Sequence, residues 1–300
     1  MAQKASRAPR RRNRRRAGAH AAPSRVSARP APDSPTDLEI DPRIVCSALE
    51  RFIRDETRRA GAAGVVIGLS GGLDSALSTT LAARALGPEH VLAALLPYRT
   101  SSPDSRRDAA DLTRNLGIRH ELIDITPMVD AYFAARPGAD RLRRGNKMAR
   151  ERMSILYDLS AVHRALVLGT SNKTEILLGY GTLYGDTACA LNAVGDLYKT
   201  QVRALAEFVG VPEQIRRKPP TADLWPEQTD EGELGYTYDD LDRLLVLLVD
   251  QALKPAELEA RGFARRMVRD VIDRVERNRF KSRPSLIAKV TGHRVGVRFG

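Results

Sequence analysis

Val65-Val66-Ile67-Gly68-Leu69-Ser70-Gly71-Gly72-Leu73-Asp74-Ser75 runs from a short aliphatic stretch through a glycine-rich turn into a helical pattern over Asp74 to Ala85. Paired glycines let the backbone come close to a ligand and take dihedrals that other residues avoid. A helix that begins there presents free N–H groups and its positive dipole end. Ser70 and Ser75 add hydroxyl donors. The stretch has no lysine, so it is not the Walker-type phosphate loop. Asp74 would repel a bare phosphate, so its presence predicts a divalent cation between the carboxylate and the phosphates. The competing reading is a plain strand-to-helix turn in which Asp74 and Ser75 cap the helix.

Outward from this turn, short continuous apolar runs alternate with helical patterns. Ile44 to Arg59 reads as a helix, Val91 to Leu96 as a second strand, Ser105 to Leu116 as a helix and Glu121 to Ile125 as a third strand. Asn146 to Arg164 reads as a long amphipathic helix and Ala165 to Leu168 as a fourth strand. This order predicts an α/β fold, a doubly wound parallel sheet with helices on both faces. Ligands of such sheets sit beyond the carboxyl ends of the strands, which marks loops 68–75, 97–105 and 169–175 as functional. A helix over Val202 to Val209 follows, then a loop over 216–237 rich in Pro, Asp, Glu and Gly. Helical patterns over Asp239 to Gln251, Ala256 to Ala260 and Phe263 to Arg279 close the chain.

Composition narrows the function. Of the formal net charge of +12, residues 1–35 hold +9, with Lys4 and nine arginines against Asp33, which leaves +3 for the remainder. The strongly basic character is therefore a property of this tail, and a nucleic-acid role for the folded part loses its main support. The 1–36 segment has almost no large apolar residues and reads as a disordered Arg-rich tail, either solvated or a loose polyanion-binding arm. Its arginine run lacks the apolar region that an export signal needs. No stretch reaches the roughly 18 apolar residues of a membrane span, so a cytoplasmic protein is expected. Cys46 and Cys189 are too few for a disulfide framework or a four-cysteine zinc site.

Ser70-Gly71-Gly72-Leu73-Asp74-Ser75 resembles the pyrophosphate loop of the N-type ATP pyrophosphatases, an adenine nucleotide alpha hydrolase-like fold. Within that group the chain resembles the ammonia-dependent NAD synthetases. The resemblance is carried by Leu96 to Ser102, by Gly145-Asn146-Lys147-Met148-Ala149-Arg150-Glu151-Arg152-Met153 and by Gly169-Thr170-Ser171-Asn172-Lys173-Thr174-Glu175. Tyr184-Gly185-Asp186, Leu197 to Val202, Lys218 to Trp225 and Gln228 to Gly235 continue it in order, over about residues 40–290. It implies one NAD synthetase-like domain over 37–300, ATP as substrate and Mg2+ held by Asp74 and Glu175. It implies ATP contacts at Gly68, Ser70, Gly71, Gly72, Leu73, Asp74, Ser75, Thr170, Lys199 and Thr221. Lys199 would offset charge on the leaving pyrophosphate. Arg150 would contact the acyl substrate, and Asp186 would accept the proton that ammonium must shed. Homodimers and free ammonia, or ammonia from a separate donor protein, are implied as well.

The match has gaps on the acyl-substrate side. Leu183 and Ala190 stand where the family has Lys and Asp, and Phe280-Lys281 where it has His-Lys. Each lost charged partner of a buried contact costs about 1–3 kcal/mol. Two substrates therefore stay open, deamido-NAD giving NAD+ or a different carboxylate amidated by the same chemistry. A tRNA-modifying pyrophosphatase would need a more basic folded part, and a nucleotide sensor would dispense with Asp74, Glu175 or Lys199. All three are present.

Overall fold

β1 (Val65–Gly68) pairs in parallel with β2 (Val91–Leu95) on one side and β4 (Leu166–Leu168) on the other. β3 (Arg119–Leu122) adds to β2, so the strand order is β3-β2-β1-β4, all parallel. This is a computed structural model, and it describes residues 38–225 and 227–283. The expected Arg-rich tail, 1–36, lies outside the described residues.

Alternation along the strands divides two apolar layers. Val65 and Ile67 of β1 and Val91, Ala93 and Leu95 of β2 face a core closed by α1 (Pro42–Arg59), α2 (Leu73–Leu86), α3 (Pro103–Leu116) and α7 (Lys199–Phe208). Val66, Leu92 and Ala94 face the other way, onto α4 (Thr126–Ala134) and α5 (Arg141–His163). Successive strand side chains point to opposite faces, so strands apolar at every position must be covered twice. A second core lies to the C-terminal side. There α6 (Lys173–Leu178), α9 (Asp230–Leu234), α10 (Tyr238–Leu245), α11 (Pro255–Ala260) and α12 (Arg265–Asn278) pack around Leu178, Leu241, Leu245 and Val268. Short α8 (Glu213–Arg216) follows α7.

The doubly wound expectation holds, with local corrections. β3 lies two residues before the expected Glu121 to Ile125, because Arg119 pairs with Leu92. The apolar run beyond it still feeds the sheet edge, as the Ile123 and Ile125 N–H groups donate to the Leu95 and Pro97 carbonyls at 2.9 and 3.0 Å. α4 was not anticipated. α5 begins five residues before Asn146, where the Asp140 carboxylate caps it by accepting the Arg143 N–H at 2.8 Å. The stretch 216–237 is not loop throughout, since α9 lies within it. The expected helix over Asp239 to Gln251 ends in a wider π turn from Val246 to Asp250.

Candidate active site

The chain passes from β1 to β2 to β3 in one direction and then returns to place β4 on the far side of β1. Loops that follow β1 and β4 therefore diverge, and the crevice between them is the natural ligand site of an open parallel sheet. A cleft of about 580 Å³ opens there.

Its first wall is the turn after β1. Gly71 has φ +79°, and a Cβ there would meet the Ser105 carbonyl oxygen at 2.1 Å, so only glycine fits. Gly72 is the N-cap of α2 and no side chain caps that helix end. The simple capping role for Asp74 and Ser75 is thus not realised. Ser75 Oγ instead braces the turn, donating to the Gly72 carbonyl at 3.0 Å and lying 3.1 Å from Ser70 Oγ. The result is a braced turn in which the Ser70 and Gly72 N–H groups donate to the Ser75 and Ser70 hydroxyls at 3.3 and 3.2 Å, and residues 68–75 line the cleft.

The opposite wall starts at β4. Asn172, fully buried, caps α6 by accepting the Glu175 N–H at 3.0 Å, and Glu175 Oε2 accepts the Asn172 N–H at 3.3 Å. Asn172 Nδ2 also donates to Asp74 Oδ1 at 3.0 Å. One residue thereby fixes two carboxylates, Asp74 through its side-chain amide and Glu175 through its backbone N–H, that are about a hundred residues apart in the chain. Lys199, only 2% exposed, stands at the start of α7 with Nζ bonded to Asp74 Oδ2 and 3.7 Å from Glu175 Oε1. Burial opposes its charge, but the Asp74 and Glu175 carboxylates outweigh burial and hold the ammonium above the usual lysine range. Burial, then the Asp74 carboxylate, pushes the Glu175 carboxyl well up. The two acids supply hard oxygen donors next to an anion-receiving turn. That set fits a magnesium ion whose other ligands are phosphate oxygens and water, rather than an all-protein cage. Among the described residues no group of three or more His, Cys, Asp or Glu forms such a cage.

Behind this triad lies a buried frame that the motifs alone do not reveal. Asp242 of α10 is fully buried; Oδ1 accepts the Thr174 hydroxyl at 2.5 Å and Oδ2 accepts the Thr200 N–H at 2.8 Å. Thr174 Oγ1 accepts the Lys199 N–H at 3.0 Å. Asp230 accepts hydroxyls from Tyr180 and Tyr238 at 3.0 and 3.1 Å, with its carboxyl pushed up by burial.

At the far end, Asp186 opens onto the cleft and its Oδ1 accepts the Thr182 N–H at 2.8 Å. The protein crowded around it raises its carboxyl, with the Thr182 N–H opposing. Lys281 Nζ donates to the Gly179 and Gly181 carbonyls at 2.7 and 3.0 Å, and burial pulls its pKa down. Thr170 and Thr221 line the same cleft. Over the opening, Asp223, at φ +51°, accepts the Ser102 N–H at 3.0 Å and joins the 218–225 stretch to the loop after β2.

Other expected positions lie off the cleft wall. Exposed Arg150 donates from Nε to the Leu183 carbonyl at 3.2 Å, Phe280 is exposed, and Ala190 borders a shallow hollow with Phe52 and Glu56. His163 is 3.6 Å from Glu121, remote from the cleft, and Cys46 and Cys189 are free thiols.

Residues 45–285 match the family model for NAD synthase. A curated relative from Trichlorobacter lovleyi, named NH(3)-dependent NAD(+) synthetase, is 54% identical over 262 residues, covering 87% of this chain and 96% of its own. The chain belongs to the NAD synthase family. It is accordingly an ATP-dependent amide-forming ligase. Two solved structures share its fold. An NH3-dependent NAD synthetase from Campylobacter jejuni superposes with a TM-score of 0.72 at 35% identity, covering 84% of this chain and all of its own. An NMN synthetase from Francisella tularensis gives 0.74 at 31% identity, covering 83% of this chain and 99% of its own. The family's contiguous motifs converge on the cleft here, while Tyr238 and Asp242 are recovered only by the folded arrangement.

Proposed function

We propose that this protein makes NAD+ by amidating deamido-NAD with free ammonia, using ATP and magnesium. The observation that carries this reading is the triad of buried Lys199 with half-buried Asp74 and Glu175, facing the uncapped glycine turn. Residues 68–75, Thr170, Lys199 and Thr221 bind the nucleotide. Asp74 and Glu175 hold the metal, which when bound neutralises phosphate charge and orients the leaving group.

The reaction has two parts. A carboxylate oxygen of the substrate bonds to the α-phosphorus while the bond to the bridging oxygen breaks and pyrophosphate leaves with the electron pair. Lys199, displaced from its carboxylates by the arriving ligands, meets that growing negative charge. Ammonia then attacks the acyl carbon and AMP departs. Ammonium must first give up a proton, and Asp186 both attracts the cation and accepts that proton. A carboxyl raised by its surroundings is the better acceptor.

Arg150, Leu183, Ala190, Phe280 and Lys281 are read as the acyl-substrate side. Over half of the Trichlorobacter relative's sequence is shared across nearly its full length, which favours deamido-NAD over a different carboxylate. The test is NAD formation by purified protein with ATP, magnesium, ammonium and deamido-NAD, run beside the corresponding mononucleotide acid. Faster turnover of the dinucleotide supports the proposal; a preference for the mononucleotide, or no amide from either, overturns it.

The setting proposed is cytoplasmic, with ammonia free or passed from a separate donor; no described helix is long and apolar enough to cross a membrane. A homodimer is proposed too. The apolar positions of 241–249 and 263–279 are largely consumed in this chain's own second core. Exposed apolar side chains sit instead on α1, at Ile44 and Phe52, and on α5, at Tyr157 and Val162.

A further inference from the structure

One face of α5 forms a wall of the cleft and touches a different part of the site at each turn. Gly145 lies under Leu224 and Trp225, where an added Cβ would come within 3.0 Å of Leu224. Ala149 lies against Gly185, next to Asp186. Leu156 packs on Gly68, the first residue of the phosphate turn. Between these two contacts the same face carries Arg152, which lines the cleft.

Arg152, with Arg106 and Lys281, belongs to the cleft-lining cations that form no ion pair among the described residues, while the others are matched. Lys199 is matched by Asp74 and Glu175, Lys218 by Asp108, Arg203 by Asp239 and Arg216 by Glu207. Arg152 donates from Nε to the Leu96 carbonyl at 3.0 Å and forms no ion pair among the described residues. Asp186 and Asp223 are the carboxylates whose field reaches it. A guanidinium has five N–H donors and stays charged inside proteins. Burial disfavours its charge, and without an ion-pair partner that cost stands until an anion arrives.

Its position selects the anion. On one side is the turn that receives the outer phosphates, and on the other is Asp186, where ammonia is activated. The group that must lie between them is the phosphorus that first accepts the carboxylate and later leaves as AMP. We propose that Arg152 binds the α-phosphoryl group, holding its non-bridging oxygens through adenylation and through release of AMP. This rests on the adenylation chemistry proposed above. Paired guanidinium N–H groups suit two phosphate oxygens, and their hydrogen bonds strengthen as charge gathers on those oxygens in the transition state.

The test separates phosphate from nucleoside. AMP and adenosine are titrated calorimetrically into wild-type protein, Arg152→Gln and Arg152→Lys, with folding checked by thermal denaturation. Wild type should prefer AMP by about tenfold or more, Arg152→Gln should bring the two ligands close to equal, and Arg152→Lys should fall between. Deamido-NAD-dependent pyrophosphate release should drop about 10²-fold in kcat for Arg152→Gln with a smaller change in the KM for ATP. An unchanged AMP-to-adenosine ratio in folded Arg152→Gln overturns the proposal, as does parallel loss of both ligands. Should Arg152→Gln not fold, Arg152→Lys decides: a ratio below wild type supports the assignment and an equal ratio overturns it. Neither ligand carries an acyl group, so this ratio is read independently of the acyl substrate. Failure of wild-type protein to make NAD would overturn the functional reading alone.

Discussion

At the scale of single residues, the site is a balance of buried charges. Lys199 is set against both Asp74 and Glu175 in the free protein, one cation to two carboxyl groups. Asp74→Asn should lower carboxylate-dependent pyrophosphate release by about 10²-fold or more, a magnitude typical of losing one electrostatic contact to the transition state. A pyrophosphate assay at saturating magnesium checks this, and wild-type release would refute the metal assignment. Asp186 makes a two-sided prediction. Its folded-state pKa lies above the unfolded value, so its contribution to stability is whole below the usual carboxylate range and is lost as pH rises through the raised value. Asp186→Asn should therefore melt above wild type at alkaline pH, with the gap narrowing as pH falls toward the usual carboxylate range. The same variant should lose about 10²-fold in ammonia-dependent NAD formation. Much of this was legible in the sequence, because Asp74, Glu175, Lys199 and Asp186 each sit inside a short contiguous motif. Asn172 was legible only as part of such a motif. Its bond to Asp74 spans a separation that no local pattern records.

At the scale of elements, the two walls are held by different means. The phosphate turn is held by sterics, since Gly71 touches the start of α3. Gly71→Ala should abolish ATP binding, measured calorimetrically, because both its φ and its contact with the Ser105 carbonyl exclude a methyl group. The other wall is held by hydrogen bonds through Asp242, which secures the beginnings of α6 and α7 together. Asp242→Ala strands a buried N–H and a buried hydroxyl and should cost about 1–3 kcal/mol for each group left unsatisfied, read by urea unfolding. The strands and long helices could be read from apolar runs, because a doubly covered sheet needs them. α6 could not, as six residues are too few for a period, and its stability comes from its capping box and from Asp242. β3 begins ahead of its apolar run because its first paired residues, Arg119 and His120, are polar and exposed at the sheet edge, so the run of apolar residues does not mark the run of paired ones.

Across the whole molecule, the cleft is a seam between two apolar cores. The sheet core supplies the phosphate turn, and the C-terminal core supplies Asp230, Tyr238 and Asp242. The C-terminal helices are therefore expected to be indispensable to catalysis although their motifs carry little chemistry. The homodimer proposal belongs to this scale as well. Phe52→Arg combined with Val162→Arg should shift the protein to a smaller species in size-exclusion chromatography, and an unchanged elution volume would rule out these faces as the interface.

The long helix α5 sets the dimensions of the site. From Gly145 to Leu156 its rise of 1.5 Å per residue spans about 16 Å. Over that length it meets, in turn, the covering stretch with Leu224 and Trp225, the glycine beside Asp186, and the origin of the phosphate turn. These three stations are marked off along a single rod. Adding one residue between them would rotate everything downstream by about 100° and lengthen the rod by only 1.5 Å. The sheet could still form, but phosphate release and ammonia attack would be aimed at different points in space. Divergence in this protein is therefore freer at the mouth of the cleft, where loops can change length, than along α5, where the measure itself is kept.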